Sequence, residues 1–158
     1  MRFRLFHLFA LIAVSAVVFV FVHAATRHDR QSQYLQAARD GDVKTVRQCL
    51  AHGVNVNTRD GWSSTALMYA AVDGHDSVID ELIDEGVDLN ERTRMDRTAL
   101  MWAAKNGHVS TITLLMDHGA DAALKDKENM TAFDHAQANG HNTAATLFTT
   151  QTPRLAEP

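Results

Sequence analysis

Cysteine is almost missing from this chain. Cys49 stands alone among 158 residues, which excludes an intramolecular disulfide and a multi-cysteine zinc or iron–sulfur site. A basic surplus is missing as well, since 15 Lys and Arg face 19 Asp and Glu. Without spare cations to neutralise phosphates, general nucleic-acid binding is not expected. The usual marks of catalysis are also lacking. No paired carboxylates, glycine-rich phosphate loop or nucleophile elbow occurs, so neither an enzyme nor a cofactor is expected. What is present is a 46% apolar composition, ordinary for a folded protein and too high for a disordered one. The length allows one domain with room for an appendage.

The appendage is N-terminal. No acid precedes Asp29, and Arg2 and Arg4 open the chain. An uncharged apolar run from Leu8 to Val22 follows, ending in Val22-His23-Ala24. Small residues at the third and first positions before a cut fit a secretory signal peptide cleaved after Ala24. Its rival is an uncleaved anchor. The stretch Leu5 to Val22 has 18 residues, near the lower limit for crossing about 30 Å of hydrocarbon. A core helix is the least expected reading, because the run is apolar all round. Either way, positive charge on the N-terminal side sends the body out of the cytosol. The expectation is a periplasmic protein, or one held in the inner membrane with its body outside. Membrane contact is then confined to residues 1–26, and only if they are retained.

The remainder repeats itself. Thr65-Ala66-Leu67-Met68-Tyr69-Ala70-Ala71 recurs as Thr98-Ala99-Leu100-Met101-Trp102-Ala103-Ala104, and in weakened form from Thr131 to Gln137. The offset is 33 residues, and Gly74-His75, Gly107-His108 and Gly140-His141 keep the same step. So do Gly53, Gly86 and Gly119. Tyr34–Gly41 fills the equivalent place in an earlier unit. Such self-similarity means a solenoid whose units stack around one continuous core. Within a unit, Thr65 and Thr98 suit helix N-caps, and Gly74 permits a tight reversal. Val78, Ile79, Leu82 and Ile83 form the apolar stripe of a second helix, matched by Thr111, Ile112, Leu115 and Met116. Gly86 and Gly119 end these helices in the left-handed conformation. Asn90–Arg97 reads as a projecting hairpin or loop.

In-phase sub-motifs of this kind closely resemble the ankyrin repeat over about residues 32–150. The resemblance implies an all-α solenoid of stacked helix-turn-helix pairs with projecting hairpin loops, preceded here by an N-terminal apolar helix. Four units are expected at 32–57, 58–90, 91–123 and 124–150, after a leader at 1–24 and a linker at 25–31. A flexible tail follows at 151–158. The first and last units look atypical, as end caps must, with Thr143, Thr146, Thr149 and Thr150 facing water. The sequence departs from the family where Ala66, Ala99 and Ala132 replace a proline, and where Met68, Met101 and Asp134 replace a histidine. Loss of that histidine removes a hydrogen bond that the family uses between repeats. The family binds other proteins through hairpin tips and the concave face of its first helices, and has no shared catalytic activity.

Three chemical candidates reduce to architecture. His75, His108 and His141 should lie about 10 Å apart if helices pack at their usual spacing, too far to share a zinc ion, so they are read as holding the inter-helix turns. His52 and His118 favour helix C-termini. Cys49 is in phase with Leu82 and Leu115, a core slot where a thiol behaves as a small hydrophobe. The acidic set Asp80, Glu81, Asp84 and Glu85 reads as a solvated helix face.

Functional candidates are therefore positions where the repeat does not require its own residue type. Hairpin tips offer Trp62 and Ser64, then Arg94, Met95 and Arg97, then Lys127, Glu128 and Met130. The ends of the first helices offer Arg39, Asp40, Val72, Asp73, Lys105, Asn106, Ala138 and Asn139. Trp62, Met95 and Met130 are expected along one edge with arginines beside the middle one, a composition typical of interface hot spots. Tyr69 and Trp102 are expected to pack. The reading is a monomeric, non-enzymatic module for a protein partner.

Overall fold

The computed structural model describes residues 29–151. The leader at 1–24 and the tail beyond 151 lie outside the described residues. Helix α1 covers 29–40, so the repeat array extends into the stretch expected as linker. Seven more helices follow: α2 (Val43–Ala51), α3 (Ala66–Asp73), α4 (Asp76–Asp84), α5 (Ala99–Asn106), α6 (Val109–Asp117), α7 (Ala132–Ala138) and α8 (Asn142–Gln151). Among the described residues there is no strand, only an isolated bridge between Arg59 and Thr65. None of these helices is long and apolar enough to cross a membrane.

The pairing follows the period of the sequence. Each first helix packs on the next, α3 on α5 and α5 on α7, and each second helix does likewise, α2 on α4, α4 on α6 and α6 on α8. Thr65, Thr98 and Thr131 cap the first helices, each hydroxyl accepting from the amide three residues on. Asp134, in place of the family histidine, closes a capping box by accepting from the Thr131 amide at 2.8 Å. A carboxylate there satisfies one more free helix-end donor. The alanine pairs Ala70-Ala71 and Ala103-Ala104 are fully buried, and their small side chains let α3, α5 and α7 approach closely. On the second helices Val78, Ile79, Leu82, Thr111, Ile112 and Leu115 are all buried, while Ile83 and Met116 cover the edge of this core. Cys49 is buried in the same row, and burial pushes its thiol pKa up.

The histidines behave differently from expectation. They do not merely brace their own turns. His75 Nε2 donates to the carbonyl of Arg39 and His108 Nε2 to that of Val72, both at 2.9 Å. Each ring thus reaches back one repeat and lies beneath the glycine that ends the preceding first helix. Gly74 has φ +72°, and a Cβ on it would come within 2.7 Å of His108 Nδ1. Glycine is needed there twice over, for the left-handed backbone and for the room. Gly41 with His75, and Gly107 with His141, repeat the arrangement. These contacts, together with Asn57 and Asn90 accepting from the amides of Asp88 and Asp121, join each repeat to its neighbour. His52 and His118 instead cap their own helices through Nδ1, to Gln48 and Leu114 carbonyls at 2.6 and 2.9 Å.

Candidate protein-binding surface

One side chain organises each hairpin. Asp60 Oδ1 accepts from the amides of Trp62 and Ser64, both at 2.8 Å. Thr93 Oγ1 takes the equivalent pair from Met95 and Arg97 at 3.3 and 3.1 Å. Asp126 Oδ1 takes them from Glu128 and Met130 at 2.9 and 3.0 Å. Short oxygen-bearing side chains do this readily because they mimic a backbone turn. The same loops place Ser63, Asp96 and Asn129 at φ of 62°, 59° and 62°, a left-handed setting in which Asp and Asn are among the better-tolerated non-glycine residues.

The tips are joined to one another. The Arg94 amide donates to the Trp62 carbonyl at 3.1 Å, and the Lys127 amide to the Met95 carbonyl at 3.2 Å. Successive hairpins therefore form one continuous strip. On its outside Trp62 is 71% and Met95 48% exposed, and the Arg94 guanidinium lies 5.8 Å from the Trp62 ring centroid. Trp62 does not fold over its own hairpin.

Behind the strip runs a row contributed by the first helices. Tyr69 donates its hydroxyl to Asp60 Oδ2 at 2.6 Å, and the Arg39 guanidinium lies over its ring at 5.9 Å. Burial, followed by the hydrogen bond to Asp60, raises the Tyr69 pKa. Trp102, one repeat on, is flanked by Arg97 at 5.4 Å and Lys105 at 5.2 Å. In the next repeat His135 Nε2 donates to Asp126 Oδ2 at 2.9 Å. Tyr69 and Trp102 are half-buried and pack as expected.

Asp126 is the electrostatic anchor. Burial works against its charge, but hydrogen bonds from the Met130 amide, His135, Arg97 and the Glu128 amide prevail and hold its pKa at about 2. Asp60 is lowered in the same way, burial being outweighed by Tyr69 and the Ser64 and Trp62 amides. Neither aspartate was singled out in the sequence. The signal was present in phase: positions 60, 93 and 126 hold Asp, Thr and Asp, the residue types that nucleate turns.

Two candidate positions differ from the rest in their surroundings. Arg97 is paired within the chain, its guanidinium bound to Asp126 at 3.1 Å and Glu128 at 3.0 Å. Met130 does not continue the edge formed by Trp62 and Met95. It is in phase with Ser64 and Arg97 and is half-buried like them; Glu128 holds the edge position in that repeat. Arg94 and Lys127 are exposed at their tips, and Asp73 is exposed at the end of α3. Asn106 is exposed, and its side-chain amide donates to the Val72 carbonyl at 2.9 Å, a link between repeats. Lys105 is half-buried against Trp102. The structure thus gathers Trp62, Arg94, Met95 and Lys127 into one exposed strip, with Lys105 and Trp102 behind it. Among the described residues, no group of three or more His, Cys, Asp or Glu is placed to hold a metal ion.

Comparison with known proteins agrees with this architecture. No curated protein sequence is significantly similar to the chain. The family description "Ankyrin repeats (3 copies)" matches residues 15–93, 34–126 and 77–154, overlapping windows that together span most of the chain. Ankyrin repeats are generally protein–protein interaction modules and typically non-enzymatic. The 33-residue period, the capped helix pairs and this match carry the same conclusion: the chain belongs to the ankyrin repeat family.

Proposed function

We propose that this chain is a non-enzymatic recognition module that holds a folded protein partner on the hairpin tips and the adjoining side of the first helices. The exposure of Trp62, with Arg94 stacked on it, carries the reading. Trp62 is 71% and Met95 48% exposed on tips that the backbone ties together, and a joined apolar patch, unlike a lone residue, marks an interaction surface. Tryptophan and arginine are also the residues most often found at the energetic centre of an interface. Replacing both, Trp62→Ala with Arg94→Ala, is expected to weaken partner capture by about 2–4 kcal/mol while leaving helicity unchanged. Unaltered affinity in the folded double variant would move the site off the tips.

Residues 1–24 act as a cleaved export signal, putting the repeats in the periplasm. Retention of the same stretch as an anchor is the second reading, favoured by the 18 uncharged or histidine-bearing residues from Leu5 to Val22. In both, the module works outside the cytosol, as a monomer.

A further inference from the structure

We propose that the third repeat's tip and first helix select an acidic segment of the partner, a specificity that rests on the recognition role above. Charge is sharply partitioned along the chain. From Asp73 to Glu91 there are eight acids and no Lys or Arg, whereas from Arg92 to Lys105 there are four cations and a single acid, Asp96. The fold separates these blocks in space. The acids occupy the end of α3, the second helix α4 and the loop after it, and the cations occupy the neighbouring hairpin and α5.

Three cations on this side are available. Arg94 is exposed over Trp62, Lys105 lies over Trp102, and Lys127 is exposed on the next tip, tied to the same strip through the Met95 carbonyl. None of the three forms an ion pair among the described residues, where the pairs involve Arg47, Arg59, Arg97 and His135. The nearby acids hold other groups, and Asp60 feels the Arg94 charge without forming an ion pair with it. Asp60 is held by its hairpin amides and Tyr69, and Asp126 and Glu128 hold Arg97. A cationic strip interleaved with exposed Trp62 and Met95 complements a polypeptide that alternates carboxylates with apolar side chains. An extended nucleic acid fits less well, because the chain carries 15 Lys and Arg against 19 Asp and Glu and lacks the basic surplus that a long polyanion needs.

The test titrates the full chain, in mild detergent, into a fluorescein-labelled peptide of alternating glutamate and phenylalanine. A lysine–phenylalanine peptide and oligothymidylate serve as comparisons. Anisotropy should saturate for the glutamate peptide alone and should fall off as salt is raised. Arg94→Glu with Lys127→Glu, both exposed positions, should weaken it roughly tenfold or more, whereas Lys44→Glu on α2 should leave it unchanged. No saturable binding, equal binding of the lysine peptide, or full affinity in the folded double variant overturns the proposal. Displacement by oligothymidylate overturns it in favour of nucleic acid. Self-association that the same variant abolishes overturns it in favour of a second copy. If partner capture is lost with Trp62→Ala but survives the charge reversal, the acidic specificity fails and the general recognition role stands.

Discussion

A glycine that ends a first helix meets two demands, and they can be separated by substitution. Gly74 and Gly86 share a left-handed backbone, with φ of +72° and +75°. A Cβ on Gly74 would collide with the His108 ring, whereas one on Gly86 meets nothing within 4 Å. Gly86→Ala is therefore expected to cost about 1 kcal/mol, the conformational term alone. Gly74→Ala should cost about 2–4 kcal/mol, since the ring must also move and its bond to the Val72 carbonyl is strained. Urea denaturation of both variants checks this, and equal losses would mean that the histidine contact contributes nothing. Conformation at these residues was legible in the sequence, because glycine at a fixed phase announces it. The histidine's true partner was not. Its acceptor is a backbone carbonyl 36 positions earlier, and every residue type carries such a group.

Among the elements, the third hairpin is held by a network of charged groups. Asp126 joins the Arg97 guanidinium, the His135 ring and two backbone amides, coupling α7 to the preceding repeat. Its folded pKa of about 2 lies below the ordinary 3.8. The folded state therefore binds fewer protons than the unfolded one in this range. The stabilisation is complete above about pH 4 and is lost as pH falls towards 2. Its size is on the order of 2 kcal/mol, for a carboxylate with 1% side-chain exposure. Asp126→Asn should lower stability at neutral pH by about that amount or more and flatten the acid limb of a pH series of denaturation curves. An acid limb as steep in the variant as in the parent would locate the titrating group elsewhere. The same hairpin shows how much of the surface stacking decides. Met130 resembles Trp62 and Met95 in side-chain type, but the repeat assigns neighbours by phase, and phase puts Glu128 on that edge. Arg97 looked available because its partners arrive from the following repeat, a contact made by stacking and invisible to local spacing.

At the scale of the whole molecule, the helix pairs and their caps follow directly from the 33-residue period, whereas the binding strip depends on how successive tips are tied together. The proposed export of the array makes a direct prediction about the mature chain: its intact mass and N-terminal peptide should begin at Ala25. Recovery of a chain that still carries Arg2 and Arg4 would sink cleavage and select the anchored form. The hydrogen bonds and ion pairs that join repeats, such as Arg47 to Glu81, Arg92 to the Lys125 carbonyl and Thr111 to Asp76, each link a unit only to its neighbour. The main helix contacts follow the same nearest-neighbour order. Pulled by its two ends, as a tether under load would be, the array should give way stepwise, one unit peeling from the next and each loss leaving the survivors folded.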